Sequence, residues 1–214
     1  MDNWPTDIFD INCQQCKRLA DFLVDVKQDY PDYHAHPVAP FGVKQPKLLI
    51  VGLAPGMHGA NATGRPFTGD FAGILLYESL YKFGFSNKPD AVSRDDGLKL
   101  KNCRITNAVK CLPPQNKPTT AEINICNQFL KAEIESLKPG TVILALGGIA
   151  HSSVLKALNL KKSDYKFAHN ADFNLPTGHY LISSYHCSRY NTQTKRLTEK
   201  MFHDVFKKIQ RKFK

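Results

Sequence analysis

The stretch Gly52-Leu-Ala-Pro-Gly-Met-His-Gly-Ala-Asn-Ala-Thr-Gly-Arg-Pro-Phe-Thr-Gly-Asp70 decides the fold. It follows the strand-like run 47–51 and precedes a predicted amphipathic helix over residues 71–83. The loop therefore lies at the carboxyl end of a strand, where open α/β sheets bind their ligands. Its glycines permit positive φ and close backbone approach. A long ordered connection without chemistry is the alternative, but loops of this length inside a domain are usually functional.

The rest of the chain alternates between strand-like and helix-like segments. Further strands are predicted at 103–109, 141–146 and 180–184, and further helices at 11–29, from Thr119 or Thr120 to 137, 148–158 and from 198 to the end. This alternation predicts one domain over residues 1–214, a three-layer α/β/α fold with a central four-stranded parallel sheet. The loops at 52–70, 107–119 and 185–197 then share one edge of the sheet.

Three segments fall outside this pattern. Residues 1–10 are predicted to be a loose arm, and 84–102 and 159–179 to be exposed polar excursions, because they are rich in turn-forming residues and lack a clear apolar period.

Composition and charge restrict the classes of function. The 214 residues carry a formal net charge of +10, which favours a polyanionic partner such as DNA, RNA or a membrane surface, although a solvated basic protein without such a partner is the alternative. The amino terminus lacks the features of a signal peptide, and the apolar runs are too short to span a membrane. We therefore expect a soluble cytoplasmic protein with no membrane association.

Six cysteines in an intracellular protein argue against a disulfide framework. Cys13 and Cys16 form a close pair at the start of the first predicted helix, where a spacing of three would place them on one face. With Cys111 and Cys126 they could form a four-cysteine site for zinc or an iron–sulfur cluster. Four buried small apolar side chains are the alternative. Cys103 is expected to pack near a strand, and Cys187 lies beside a histidine.

Four side chains on the predicted loops have chemistry that suits a flat polar ligand. Asn107 offers both a donor and an acceptor, and Phe67 could stack on a base. His186 could donate to a developing anion, and Asp70 could orient water or stabilise a cation. Each also has a structural alternative: a turn asparagine, a core phenylalanine, a structural histidine and a helix cap.

Five linked motifs resemble the uracil-DNA glycosylase superfamily, in its iron–sulfur branches, with family 5 the best match and family 4 next. The motifs occur in consistent order over nearly the whole chain; they are Gly52–Gly56, Thr63–Asp70, Thr106–Pro114, Asn116–Thr119 and His186–Asn191.

The resemblance implies a monofunctional DNA glycosylase of base excision repair. It would hydrolyse the N-glycosidic bond of uracil in double- or single-stranded DNA, with hypoxanthine and other deaminated bases as further candidates, and would leave an abasic site. A monomer is expected. No lysine in these motifs stands where we would assign a Schiff-base nucleophile, so no strand cleavage is expected.

The resemblance also assigns roles to individual residues. The ligands of a structural [4Fe-4S] cluster would be Cys13, Cys16, Cys111 and Cys126. The base would be bound by Gly52, Ala54, Gly56, Phe67, Asn107 and His186. The catalytic residues would be Asp70, Asn107 and His186. DNA would be contacted by Arg65, Lys110, Ser188, Arg189 and Tyr190.

This sequence departs from the family pattern at two positions. Leu53 stands where family 4 has a glutamate, and Asp70 resembles the carboxylate that is proposed to assist in family 5. Cys187 stands where family 5 typically has a proline, which we expect to loosen that loop without removing activity.

Two other classes of function compete with this interpretation. A non-catalytic iron–sulfur DNA-binding protein would explain the charge and the cysteines, but not the three side chains Phe67, Asn107 and His186 on converging loops. A nucleotide-binding α/β enzyme would need a glycine-rich phosphate loop with its lysine, and Gly147-Gly148 is too short a signal for one.

Overall fold

The computed structural model of the protein describes residues 4–213, so residues 1–3 of the predicted arm lie outside the described residues. The helices are α1 (Lys17–Asp29), α2 (Ala60–Thr63), α3 (Phe71–Lys82), α4 (Thr120–Glu135), α5 (Gly148–Ala157), α6 (Arg189–Gln193) and α7 (Glu199–Arg211). The strands are β1 (Phe41–Gly42), β2 (Leu48–Gly52), β3 (Cys103–Asn107), β4 (Val142–Leu146), β5 (Asp172–Asn174) and β6 (Tyr180–Ser184).

The strands form one six-stranded sheet in the order β1-β3-β2-β4-β6-β5. The four central strands are parallel, as the sequence predicts. The predicted central four-stranded parallel sheet is confirmed, and β1 and β5 extend it with two antiparallel edge strands that were not predicted. These strands have two and three residues, too few to show the alternation by which a strand is recognised in a sequence.

Alternate side chains of the central strands point to opposite faces of the sheet. Leu48 and Ile50 pack in the core beneath α3 and α7, whereas Leu49 and Val51 pack in the core beneath α4 and α5. All four side chains are fully buried. This arrangement confirms the three-layer fold and explains why β2 is apolar at every position.

The strand order places the carboxyl end of β2 at a topological switch point. The chain runs from β2 to its neighbour β3 and then crosses to β4 on the other side of β2. Ligands of open α/β sheets bind at such points. The register places Gly52 opposite Asn107, so the loop after β2 begins beside the loop after β3.

The structure corrects the prediction for the amino-terminal region. Helix α1 starts at Lys17 rather than near residue 11, because Asp10 accepts a hydrogen bond from the Asn12 backbone and holds a turn there. Cys13 and Cys16 therefore precede the helix and do not share a helical face. Residues 4–10 are not a loose arm, since Trp4 is buried and its Nε1 donates to the Pro40 carbonyl at 3.1 Å.

The two predicted excursions also contribute to the core. Phe85, Leu98 and Leu100 of segment 84–102 are buried against the sheet face under α3 and α7. Segment 159–179 contains β5 and the buried Leu175. Both segments are irregular in sequence but are anchored by a few apolar side chains. Among the helices of residues 4–213, none has the length and apolarity that a bilayer crossing requires.

Candidate active site and cysteine cavity

The loops after β2, β3 and β6 surround one pocket, as the sequence predicts. Its lining residues are Leu53, Ala54, Pro55, Gly56, Ala60, Phe67, Asp70, Phe71, Ala72, Asn107, Asn116, His186, Ser188 and Arg189. Gly52 packs directly behind the pocket, because a Cβ at this position would lie 2.7 Å from the Phe67 ring and would collide with the Asn107 carboxamide. The catalytic and base-binding candidates are therefore brought together, while their roles stay predictions.

Phe67 has an unusual backbone conformation. Its φ is +55°, in the left-handed region that bulky residues rarely adopt, and its side chain is only 5% exposed. Its carbonyl presses against Gly73 at the start of α3, where no Cβ would fit. The ring stacks on the His186 ring, with the centroids 5.8 Å apart and an interplanar angle of 27°. Backbone strain of this kind concentrates at functional sites, where the surrounding fold enforces it.

Asn107 ends β3 and presents its carboxamide to the pocket. The residue is 3% exposed, and its Oδ1 has no hydrogen-bond partner among the residues described. A buried polar atom without a partner costs roughly 1–3 kcal/mol of stability. Proteins seldom retain such an atom unless a ligand satisfies it.

His186 lies between β6 and α6, with its backbone carbonyl accepting a hydrogen bond from Asn191 Nδ2 at 2.8 Å. Burial lowers the pKa of the His186 imidazole to about 4. The ring is therefore neutral at pH 7, with one nitrogen protonated. A neutral imidazole in this position can donate a hydrogen bond without adding a buried charge to the apoprotein.

Asp70 is the N-cap of α3 and accepts a hydrogen bond from the Gly73 backbone at 2.8 Å. This confirms the helix-cap interpretation, and the same carboxylate also lines the pocket. Burial raises the pKa of Asp70, while hydrogen bonds from the Gly73 and Ala72 backbones oppose that rise. A Cβ at Gly59 would lie 2.8 Å from Asp70 Oδ2, so the glycine leaves room for the carboxylate.

The predicted DNA contacts fall into two groups. Ser188, Arg189 and Tyr190 lie at the start of α6, where Ser188 caps the helix and Tyr190 is 69% exposed. The Arg189 guanidinium lies over the Phe71 ring, 5.0 Å from its centroid. Ser188 and Arg189 border the pocket, and Arg189 and Tyr190 are exposed to a large partner.

Arg65 and Lys110 are placed differently, and the expectation that they contact DNA is corrected. Arg65 is 3% exposed and donates to both carboxylate oxygens of Asp96, at 2.9 and 2.6 Å. Lys110 is 2% exposed, with its ammonium 3.2 Å from the buried Glu133 carboxylate. Neither cation can reach a phosphate from inside the protein, so both serve the fold.

The sequence reasoning missed two residues that line the pocket. Asn116 has a φ of +56° and sits across from the loop after β2. It belongs to a motif that the sequence singled out, but no role follows from its identity. The Phe71 ring lies beneath the Arg189 guanidinium. In the sequence, only its place directly after Asp70 indicated that it belongs to the site.

The four cysteines Cys13, Cys16, Cys111 and Cys126 line a second, mostly apolar cavity. It lies where α1, the loop after β3 and the start of α4 pack together. The segment before α1 supplies two of the thiols and the region around α4 the other two, so the cavity ties the amino terminus to the domain. None of the four is disulfide-bonded.

The donor set of this cavity fits an iron–sulfur cluster. Four thiols and an apolar lining are the surroundings such clusters require, and the Lys110 backbone N–H donates to Cys126 Sγ at 3.3 Å. Burial raises the pKa of Cys16 to about 11 and raises that of Cys111, so the free thiols are protonated near neutral pH. Within residues 4–213, no three His, Cys, Asp or Glu side chains approach closely enough to hold a single metal ion.

The other two cysteines are buried apart from this cavity. Cys103 lies on β3, as expected, and Cys187 lies in the core between the sheet and α7. Burial raises the pKa of both thiols.

Comparison with known proteins identifies the family. The model of the uracil DNA glycosylase superfamily matches residues 39–210, which include the pocket residues from all three loops. The chain belongs to the uracil DNA glycosylase superfamily. The resemblance found in the sequence motifs is thereby confirmed.

The relatives of this superfamily member include proteins named type-5 uracil-DNA glycosylase. One from Thermus thermophilus is 43% identical over 204 residues, covering 93% of each chain. Another, from Pyrobaculum aerophilum, is 40% identical and covers 92% of this chain and 88% of its own. A type-4 uracil-DNA glycosylase from Thermotoga maritima is 40% identical over 107 residues, which is 50% of this chain and 47% of its own.

Proposed function

We propose that this protein is a uracil-DNA glycosylase, which hydrolyses the bond between uracil and deoxyribose and leaves an abasic site. The observation that carries the proposal is the unpaired Oδ1 of Asn107, buried beside the Phe67 ring. A base edge carries the N–H donor that this oxygen lacks, and its flat face matches an aromatic ring. Activity on single-stranded as well as duplex DNA, and a monomeric state, stay predictions.

Access to the base requires that the nucleotide leave the duplex. The exposed Arg189 borders the pocket, and the exposed Tyr190 follows it in α6, where the DNA backbone would pass. A uracil mispaired with guanine costs less to extrude than a matched base, which favours damaged sites. The extruded uracil would lie against Phe67, with its polar edge toward Asn107.

Departure of the base leaves electrons on uracil as the bond to C1′ breaks. The neutral His186 imidazole would donate a hydrogen bond to the developing oxyanion, with backbone N–H groups of 53–56 as additional donors. Because the pKa of His186 is about 4, no imidazolium is available near neutral pH to protonate the base, and the neutral ring would act as a hydrogen-bond donor. Uracil leaves as an anion and takes up a proton from solvent.

Water supplies the hydroxyl group that replaces uracil at C1′. Asp70 borders the pocket and is half-buried, so its carboxylate would stabilise the cationic sugar and orient the attacking water. The same carboxylate caps α3, which fixes its position. The role of Asp70 is thus electrostatic as well as structural.

The four-cysteine cavity would hold a structural [4Fe-4S] cluster, with Cys13, Cys16, Cys111 and Cys126 as ligands. When bound, the cluster would join the segment before α1 to the loop after β3 and add stability rather than chemistry at the base pocket. Its supporting observation is the convergence of four unpaired thiols from distant segments.

The test is release of uracil by anaerobically purified, cluster-loaded protein. A labelled oligonucleotide with one uracil is offered as a single strand and opposite guanine or adenine, and abasic sites are revealed by alkali. We expect alkali-labile sites at uracil, without strand cleavage before alkali, and their loss in Asn107→Ala and His186→Ala. Loaded protein that binds DNA and releases no base from any substrate would instead favour a DNA-binding protein without catalysis.

A further inference from the structure

Two exposed arginines lie at opposite ends of α6, and each rests on an aromatic ring. Arg189 lies over Phe71, as described above. Arg196 follows the carboxyl end of the helix, with its guanidinium 4.7 Å from the centroid of the Tyr185 ring. Arg189 borders the base pocket, whereas no role has been assigned to Arg196.

The ring beneath Arg196 is itself held in place. Tyr185 stacks on His169, with centroids 5.2 Å apart and an interplanar angle of 23°, and Phe167 lies 6.2 Å away. The Tyr185 backbone N–H also donates to His169 Nδ1 at 3.3 Å. Tyr185 directly precedes the pocket residue His186, so the stack is joined to the pocket by the backbone.

The segment that carries His169 and Phe167 is anchored to the domain. The buried His151 bonds the Tyr165 carbonyl through Nε2 at 2.7 Å. From α7, Lys208 donates to the Asn170 carbonyl at 2.5 Å, and Lys212 pairs with Asp172 at 2.9 Å. Segment 159–171 therefore forms a fixed support behind Tyr185 rather than a loose excursion.

Charge distinguishes Arg196 from the arginines that serve the fold. Arg18, Arg65 and Arg104 each pair with a carboxylate. Within residues 4–213, no carboxylate lies within ion-pair distance of Arg189 or Arg196. The exposed Lys195 beside Arg196 adds charge of the same sign. A guanidinium that is already oriented by an aromatic ring loses little freedom when it binds a phosphate.

We propose that Arg196, supported by Tyr185 and His169, is a second phosphate-binding site for the DNA strand that passes over α6. The inference rests on the proposed function, because Arg189 and the base pocket define where the strand runs. Arg196 stands seven residues after Arg189 and past the carboxyl end of α6, so the two guanidiniums would hold different phosphates of that strand.

The test is the salt dependence of DNA binding, measured by fluorescence anisotropy with a uracil-free duplex between 50 and 200 mM KCl. Arg196→Ala should bind about five-fold more weakly, and the slope of log K against log salt should fall by about one. Arg196→Lys should recover the slope, because its charge is kept. Arg211→Ala is the matched control, since this exposed arginine ends α7 and removes the same charge elsewhere.

Equal slopes for wild type, Arg196→Ala and Arg211→Ala would overturn the proposal. So would an equal loss in both alanine variants, because net charge alone would then explain it. Circular dichroism and the melting temperature check that Arg196→Ala is folded. The probe contains no uracil, so a protein that failed to release base would contradict the proposed function without affecting this result.

Discussion

The base pocket and a buried charge network both draw residues from the seven-residue stretch 104–110, and polar groups are paired in one but not in the other. Asn107 leaves Oδ1 without a partner in the pocket. Three residues before it and three after it, Arg104 and Lys110 both pair with the buried Glu133, at 3.2 Å each. In the network every charged group has an ion-pair partner, whereas in the pocket a polar atom is left unpaired.

Whether a buried polar group has a partner distinguishes structural residues from functional ones more reliably than residue type does. A lysine near a DNA-binding loop looks functional in sequence, and an asparagine at a strand end looks like an ordinary turn residue. The structure contradicts both impressions. The Lys110 ammonium is paired with Glu133 inside the protein, whereas Asn107 Oδ1 has no hydrogen-bond partner among the residues described. We therefore expect substitutions in the network to reduce stability and substitutions in the pocket to reduce activity.

The largest expected effect is that of Asn107→Ala on catalysis. If the Asn107 amide binds the base edge as proposed, its removal should slow single-turnover uracil release about 10³-fold, the scale of a lost transition-state hydrogen bond. The melting temperature should stay equal or rise, because an unpaired polar atom is removed. Asn127→Ala is the matched control: Asn127 is also buried, but its Nδ2 donates to the Ser153 carbonyl at 2.9 Å. Asn127→Ala should lower the melting temperature and leave the rate of uracil release unchanged. A slower release with an unchanged melting temperature would contradict the contrast between the two asparagines.

Glu133→Ala should have the largest effect on stability. It leaves Arg104 and Lys110 buried without a counter-charge, which typically costs about 3–5 kcal/mol. Urea denaturation of the cluster-loaded protein measures the loss. Glu135→Ala, two residues further along α4 with an exposed carboxylate, is the control and should change the free energy of unfolding by less than about 1 kcal/mol. A Glu133→Ala variant as stable as this control would show that the network contributes nothing.

A smaller effect is expected in the pH dependence of stability. The pKa of His186 is about 4 in the folded protein and about 6.5 when unfolded, so the unfolded state binds more protons between these values. Stability is then lost as pH falls from 6.5 to 4, by ~2 kcal/mol at pH 5 from this residue. Between pH 7 and pH 5, His186→Gln should lose less stability than wild type by that amount. Parallel curves for the two proteins would contradict the burial of a neutral imidazole.

Much of the fold was predictable because the central strands are apolar and the helices carry clear boundaries. The capping box of Thr119 and Glu122 starts α4 as predicted. Strands β1 and β5 were missed because they depend on pairing with a neighbour rather than on their own pattern. Helix α1 begins later than predicted because a local turn at Asp10 competes with it.

The sequence predicted which residues form the candidate site, but it did not predict which charged residues are buried and paired. The motifs identified Phe67, Asn107 and His186, and the structure brings them to one pocket. Arg65 was misjudged because its partner, Asp96, lies 31 residues away in a segment that looked exposed. Whether a charged side chain has an ion-pair partner depends on contacts between distant residues, and these contacts cannot be inferred from periodicity or composition.

The central claim is that the unpaired Oδ1 of Asn107 is the acceptor that reads the base. The most direct test is a crystal structure of the cluster-loaded protein with free uracil. We predict a uracil ring against Phe67, with one ring nitrogen about 2.7–3.2 Å from Asn107 Oδ1. A base bound elsewhere, or an Oδ1 satisfied by another protein group while the pocket holds uracil, would contradict the account.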